Sequence, residues 1–109
     1  MKKYCLALDL KDDPQLIATY EAYHREVWPE IIQSIAESGI LHLEIYRTGN
    51  RLFMIMETTD DFSFEAKGNA DKQNVKVQEW EILMWKYQQA LPNSAPGEKW
   101  KLMEKIFSV

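Results

Sequence analysis

The chain has 109 residues, 46% of them hydrophobic and 28% charged, and carries a formal net charge of -4 at pH 7. This length predicts one domain spanning residues 1–109 around one hydrophobic core, and the acidic balance argues against a nucleic-acid partner held through its phosphates. Because Cys5 is the only cysteine and no apolar run is long enough to cross a bilayer, we expect a cytoplasmic protein with no disulfide, no multi-cysteine zinc site and no membrane span.

The N-terminal third of the chain predicts a strand followed by a long helix. Residues Lys3 to Leu10 alternate between large apolar side chains and smaller or polar ones, which is typical of a strand. Asp13 is the expected N-cap of the helix and Pro14 its first residue, and Gly39 suits the left-handed residue that ends many helices. Pro29 lies inside the helical pattern and predicts a kink or break just before it.

A hairpin is predicted after this helix. Strand-like segments run from Leu41 to Arg47 and from Leu52 to Thr58, with a glycine-containing turn between them. Along the first segment the side chains alternate between an apolar face and a face that carries His42, Glu44 and Tyr46. The second segment is apolar on both faces at its centre, which predicts that it is buried on both sides.

The C-terminal half predicts two helices and a strand. Asp60 to Ala70 reads as a short helix that begins at its acidic pair, and Gly68 to Asp71 reads as a turn. Asn74 to Leu91 is a longer predicted helix, ended by Pro92. Trp100 to Phe107 is the predicted final strand.

The order of these elements predicts an α+β fold of the ferredoxin-like, split βαβ type. In this fold a four-stranded antiparallel sheet carries its helices on one face. Too few helices are predicted to cover both faces, although the strand that starts at Leu52 is apolar on both. A second copy of the chain is the simplest cover, so we expect a homodimer.

One histidine on the first helix is a candidate for proton transfer. The apolar face of that helix carries Leu16, Ile17, Tyr20, Tyr23, His24, Val27, Ile31 and Ile35 at three-and-four spacing. His24 follows Tyr20 by four residues, so the two side chains lie close together. Imidazole can both donate and accept a proton near neutral pH. The structural alternative is a partly buried histidine hydrogen-bonded to a carbonyl group.

Aromatic residues supply further candidates, each of which can equally be part of the core. Trp80 and Met84 share a face of the last helix, and Trp85 is rotated by one residue from that face. The face of the hairpin that carries Tyr46 is expected to look towards the helices, where its phenol can orient a hydroxylated ligand.

No pattern predicts a metal or a cofactor. His24 and His42 lie on different elements, and no carboxylate stands at a recognised ligand spacing from either. The four glycines are scattered singly, so there is no glycine-rich phosphate loop, and no Gly-x-Ser-x-Gly motif occurs. The residues point to proton-transfer chemistry on a polyhydroxylated small molecule.

Four separate motifs resemble those of the L-rhamnose mutarotase family, in the family's order. Tyr20 to Glu30 resembles its Tyr-x-x-x-His-x-x-x-Trp-Pro-Glu stretch, and Ile45-Tyr46 resembles its Ile-Tyr strand before the hairpin. Trp85-Lys86-Tyr87 resembles its Trp-Trp-Lys-Tyr segment, and Leu102 to Phe107 resembles its C-terminal Glu-x-x-Phe strand. The likeness covers nearly the whole chain, and four motifs are far more specific than one.

The resemblance implies a fold, a reaction and roles for individual residues. It implies a dimeric ferredoxin-like α+β barrel and an isomerase that interconverts the α and β anomers of a 6-deoxyhexose without a cofactor. It implies that His24 is the proton donor and that Tyr20, Tyr46 and Trp85 bind the sugar. Two positioned proton-transfer groups would each contribute about 10²–10⁴-fold.

The sequence departs from the family at one position of the expected sugar site. Met84 stands where the family has the first tryptophan of its pair, and Trp80, one helical turn earlier, is expected to compensate as a sugar contact. The expected substrate is L-rhamnose, with L-fucose as the alternative.

The general base is left open by the sequence. Its candidates are Tyr46, a water molecule, or a carboxylate such as Glu26 or Glu44.

Two other classes of function fit the same residues. A cofactor-free monooxygenase or haem-degrading enzyme of the dimeric barrel architecture can also use a histidine in an aromatic pocket. A non-catalytic ligand-binding module is the second.

Overall fold

The computed structural model describes residues 1–109 and contains one antiparallel sheet with four helices. The elements in chain order are β1 (Lys2–Leu10), α1 (Pro14–Arg25), α2 (Pro29–Glu37), β2 (Ile40–Thr48), β3 (Arg51–Thr58), α3 (Phe64–Lys72), α4 (Val75–Trp85), β4 (Gln88–Gln89) and β5 (Lys101–Leu102). The strands are hydrogen-bonded in the order β2-β3-β1-β4, and β5 also pairs with β1. The predicted ferredoxin-like α+β fold is confirmed. None of the helices is long and apolar enough to span a membrane.

The first predicted helix is divided in two, as its internal proline indicates. Asp13 caps α1, since its Oδ1 accepts hydrogen bonds from the backbone N–H groups of Gln15 (2.9 Å) and Leu16 (3.1 Å). Pro29 begins α2, and Trp28 before it has an extended ψ of 135°, because proline disfavours the helical conformation in the residue that precedes it. The N-cap and the break are therefore both confirmed.

The hairpin of β2 and β3 presents its apolar side to the helices. Its two-residue turn begins at Gly49, whose φ of 57° is left-handed. Leu43 is opposite Met56 and Ile45 is opposite Met54, and all four pack against the buried clusters beneath the helices. The register thus buries one face of the hairpin.

The main hydrophobic core lies between the sheet and the helices. Its buried members are Leu10, Tyr20, Ile31, Leu52, Val77, Trp80 and Met84. A smaller cluster of Ile40, Met56 and Phe62 lies at the other end of the sheet. The core therefore includes three residues singled out from the sequence as candidates for a site.

The third helix differs from its prediction at both ends. It begins after Ser63, whose Oγ accepts a hydrogen bond from the N–H of Ala66 at 3.2 Å, and not at the acidic pair of residues 60 and 61. The predicted turn over residues 68–71 is wrong, because α3 continues through Gly68. An ion pair of 2.7 Å between Lys67 and Asp71, one turn apart, stabilises this part of the helix.

The fourth helix is shorter than predicted. It begins after its N-cap Asn74 but ends at Trp85 instead of Leu91. Gln88 and Gln89 form β4, paired with the end of β1, so backbone pairing with the sheet replaces helical hydrogen bonds there.

The final strand is also shorter than predicted. Only Lys101–Leu102 of the predicted Trp100 to Phe107 segment pairs with β1. Both β4 and β5 use the edge of β1 that β3 leaves free, each over two residues.

The other side of the sheet carries no helix, and we call it the open face. Neighbouring side chains on its three long strands are Cys5, Ala7, Glu44, Tyr46, Phe53 and Ile55. Tyr46 is 53% exposed there, so the expectation that its face looks towards the helices is wrong. Helices cover the apolar side of β2, and the two-residue period of a strand places Tyr46 on the opposite side.

Candidate active site

A cavity of about 730 Å³ lies between the helices and the covered face of the sheet. Sixteen of its 22 lining residues are hydrophobic; the other six are His24, Lys67, Asp71, Glu81, Gln88 and Lys99. This volume and this composition are those of a small-molecule site, with an apolar wall and few polar groups that can orient a ligand.

His24 lines this cavity from the last turn of α1. Its Nδ1 lies 2.8 Å from the backbone carbonyl oxygen of Tyr20. A carbonyl oxygen only accepts hydrogen bonds, so Nδ1 carries a hydrogen and donates it. Nε2 is then the ring nitrogen that can exchange a proton with a ligand. His24 therefore makes the hydrogen bond to a carbonyl group that a purely structural role would need, and it also lines the cavity, as a role in proton transfer would need.

Aromatic rings hold the imidazole on two sides. The centroid of the Tyr20 ring lies 4.4 Å from that of His24, and Trp80 meets His24 edge-on at 5.7 Å. Trp80 is itself packed edge-on against Trp28 at 5.0 Å. Because each ring is held by another ring, the position of His24 is fixed by packing as well as by its hydrogen bond.

The Tyr20 hydroxyl is the second polar group of the site that is fixed in place. Gln88 on β4 donates a hydrogen bond from Nε2 to the Tyr20 oxygen at 3.2 Å. Burial raises the pKa of Tyr20 to about 12, although the Gln88 hydrogen bond partly opposes the shift. Tyr20 is therefore a neutral phenol at neutral pH, able to donate its proton in a hydrogen bond.

This pKa predicts a loss of stability at high pH that belongs to Tyr20. The unfolded chain releases the phenolic proton near pH 10.0, whereas the folded chain holds it to about pH 12. The free energy of unfolding that depends on the Tyr20 proton is constant below about pH 10. It falls by about 2 to 3 kcal/mol in total as the pH rises to 12. Urea unfolding of wild type and Tyr20→Phe across this range should show the extra loss in wild type alone. Parallel curves would contradict the prediction.

The structure does not bring every predicted sugar-binding residue to the cavity. Tyr20, Trp80 and Met84 line it, but Trp85 and Tyr46 do not. Trp85 follows Met84 by one residue on α4, so its ring turns outward, 38% exposed, with the Lys99 ammonium 5.4 Å from its centroid. Lys99 itself lines the cavity, which places Trp85 one layer behind the wall.

Tyr46 is engaged on the open face. Its hydroxyl donates to Glu44 Oε2 at 2.8 Å, and this hydrogen bond raises the pKa of Tyr46. The roles of Tyr46 and Trp85 as sugar ligands stay predictions.

The carboxylates of the cavity are not those considered from the sequence. Glu44 lies on the open face, and Glu26 borders a separate surface groove beside Pro29. The carboxylates that line the cavity are Asp71, paired with Lys67, and Glu81. Asp71 and Glu81 are therefore the carboxylates that the structure adds to the candidates for a general base.

The sequence did not identify two polar residues of the cavity wall, Gln88 and Lys99, which lie outside the long helices and strands. Gln88 lies inside the helix that the sequence predicts for residues 74–91, whereas the structure has it in β4, and Lys99 lies in the loop before β5. The sequence offers no local signal for Gln88, because only its pairing with β1 makes this segment extended, so that alternation turns Gln88 inward. Side chains that could hold a metal ion do not cluster in groups of three or more, and His42 is exposed on β2.

Comparisons with known sequences identify the family of the chain. A family model described as L-rhamnose mutarotase matches residues 3–109. An L-fucose mutarotase from Xanthomonas campestris pv. campestris is 49% identical over 111 residues, which covers 100% of this chain and 89% of that protein.

Solved structures share the fold. The crystal structure of an L-rhamnose mutarotase from Formosa agariphila aligns with a TM-score of 0.73 at 19% identity, covering 100% of this chain and 99% of that one. A dimeric ferredoxin-like protein from an uncultured marine organism aligns with a TM-score of 0.54 at 13% identity, covering 98% and 90%. At these identities the likeness is one of fold.

Proposed function

The chain belongs to the L-rhamnose mutarotase family, and on this premise we propose that it is an isomerase that interconverts the α and β anomers of L-rhamnose. The observation that carries the proposal is His24, whose Nδ1 is held at 2.8 Å by the Tyr20 carbonyl in the wall of the cavity. That bond leaves Nε2 for proton transfer to a ligand.

The chemistry requires two coordinated proton transfers. The ring oxygen of the sugar takes a proton while the anomeric hydroxyl loses one, and the bond between the anomeric carbon and the ring oxygen breaks to give the open aldehyde. Rotation about the first carbon–carbon bond and reclosure by the reverse steps give the other anomer. Protonated His24 supplies the first proton from Nε2, and Asp71, Glu81 or a water molecule accepts the second.

The cavity wall supports a 6-deoxyhexose. Its rings and aliphatic side chains can pack against the sugar's C–H faces and its methyl group. Trp80 and Trp100 provide the indole rings of the wall, and Met84 is buried where the resemblance to the family places a tryptophan.

L-fucose is a second candidate substrate. The observation that favours it is the 49% identity to an L-fucose mutarotase over the full chain. L-fucose and L-rhamnose are both 6-deoxy-L-hexoses and differ in configuration at C2 and C4, so the proposed chemistry is the same for both.

Polarimetry of freshly dissolved sugars tests this proposal. The protein should speed the approach of L-rhamnose, L-fucose or both to anomeric equilibrium in proportion to its concentration. L-mannose and L-galactose are the matched controls, since each adds a 6-hydroxyl group that the apolar wall must desolvate. Equal acceleration of the 6-hydroxy sugars would contradict a site for 6-deoxyhexoses, and no acceleration of any sugar would contradict the function.

We further propose that a second copy of the chain covers the open face. Phe53 and Ile55 are only half-buried there. In the C-terminal segment Ile106 is 92% exposed and Phe107 78%, which is unusual for large apolar side chains. A homodimer would bury both groups of side chains.

Sedimentation equilibrium checks this prediction. Wild type at micromolar concentration should give about twice the 12.9 kDa chain mass, and Ile55→Lys should give the monomer mass with an unchanged circular dichroism spectrum, because it places a charge in the interface. Ile82→Lys is the control, since Ile82 lies on the outer surface of α4, 66% exposed, and should leave the mass unchanged. A monomeric wild type would contradict the dimer.

A further inference from the structure

Two polar side chains meet in the buried wall of the cavity, from elements distant in sequence. Tyr20 on α1 is 3% exposed and Gln88 on β4 is 6% exposed, and both line the cavity. The Gln88 amide donates to the Tyr20 oxygen at 3.2 Å. Polar groups buried this deeply in an apolar wall are costly unless they are hydrogen-bonded.

Each of the two residues keeps one hydrogen-bonding group unused by the protein. The Tyr20 oxygen accepts from Gln88, so its own hydrogen is free to be donated, and no acceptor of the chain takes it. The Gln88 amide oxygen likewise accepts no hydrogen bond from the chain. It is not fully enclosed by protein atoms, because the one fully buried side-chain atom without a hydrogen-bond partner is Ser94 Oγ. A donor and an acceptor therefore stand side by side at the cavity wall.

The position of Gln88 is set by the sheet. β4 pairs Gln88 with Leu10 and Gln89 with Asp9 on β1, and the N–H of Lys11 donates to the Tyr87 carbonyl at 2.8 Å. Alternation along this short strand turns Gln88 inward and leaves Gln89 exposed. The backbone that carries the Gln88 side chain is thus held along the end of β1.

We propose that Tyr20 and Gln88 form a two-point clamp for a single hydroxyl group of the sugar, with Gln88 as a substrate-binding residue. The sugar oxygen accepts a hydrogen bond from the Tyr20 hydroxyl, and the sugar hydroxyl donates a hydrogen bond to the Gln88 amide oxygen. A hydroxyl group is both donor and acceptor, so it satisfies both residues at once. The clamp rests on the proposed function, since it assumes a sugar in the cavity.

Sugar binding tests the clamp independently of turnover. We would measure Kd for L-rhamnose and L-fucose by tryptophan fluorescence, together with kcat from anomer exchange. Gln88→Leu should raise Kd about tenfold, the cost of one lost hydrogen bond. Gln89→Leu is the matched control and should change neither Kd nor kcat.

Two further variants separate binding from a structural role. Gln88→Glu keeps the size of the side chain, but its carboxylate accepts a hydrogen bond from the Tyr20 hydroxyl and so occupies the donor that the sugar needs. Its Kd should therefore rise at least as much as that of Gln88→Leu. In a Tyr20→Phe background Gln88→Leu should have a smaller effect than in wild type, because the two residues act on one hydroxyl group.

A folded Gln88→Leu protein with a wild-type Kd would overturn the clamp, as would a wild-type protein that binds neither sugar. If wild type binds a sugar and Gln88→Leu weakens that binding, the clamp stands even where anomer exchange is absent and the proposed function fails.

Discussion

His24→Gln should remain folded and lose at least about 10²-fold in the rate of anomer exchange, about 3 kcal/mol of transition-state stabilisation. Glutamine has a similar length and can still donate to the Tyr20 carbonyl, which His24 Nδ1 contacts at 2.8 Å. It cannot exchange a proton near neutral pH, so the variant removes the chemistry and keeps the hydrogen bond. His24→Ala should show the same loss of rate.

The measurement pairs anomer exchange with thermal unfolding of the same samples. If His24 served only the core, the variants would melt earlier, while the molecules that stay folded would exchange anomers at the wild-type rate. Near-wild-type exchange from a folded His24→Gln protein would refute the proton-transfer role. Lost exchange in an unfolded variant would not count for either role, and His24→Gln is chosen for that reason.

Trp80→Ala should cost about 3–5 kcal/mol of folding free energy, the largest stability effect we expect from a single substitution at the site. Trp80 is only 9% exposed and meets Tyr23, His24 and Trp28 edge-on at 6.3, 5.7 and 5.0 Å. Its removal opens a space against the three rings that pack on it. A loss of this size is a large part of the total stability of a small domain.

Urea unfolding at one protein concentration gives the comparison. Trp85→Ala removes the same side chain five residues later, but Trp85 is 38% exposed and should cost clearly less. Trp80→Phe should recover much of the loss, because a ring still fills the position. Equal losses for Trp80→Ala and Trp85→Ala would show that the packing around His24 does not depend on Trp80.

The parts of the fold that the sequence predicts well are those with local causes. Asp13 and Pro14 start a helix through capping and a fixed φ, and Pro29 breaks it because it restricts the residue before it. Likewise His24 was placed beside Tyr20 because helical spacing alone brings residues four apart together. The family motifs extended this local information to nearly the whole chain.

The parts that failed depend on pairing between distant segments. The residues around Gln88 have a helical pattern, but the Gln88 backbone pairs with Leu10 on β1. Nothing in the neighbouring sequence indicates that pairing. The sequence predicts the wrong side of the sheet for Tyr46, because strand alternation defines two faces without saying which one the helices cover. Trp85 is a different case: it lies outside the cavity wall in this structure, and its role as a sugar ligand, which rests on the motif alone, stays a prediction.

Saturation transfer between the anomeric protons of L-rhamnose and of L-fucose tests the central claim most directly, because at equilibrium it detects ring opening and reclosure alone. With wild type, saturating one anomer should lower the signal of the other in proportion to protein concentration for at least one of the two sugars. An equal amount of folded His24→Gln should leave the signal at the level of buffer. A folded wild-type protein that binds these sugars yet transfers no saturation above the buffer rate would contradict a mutarotase that acts through His24.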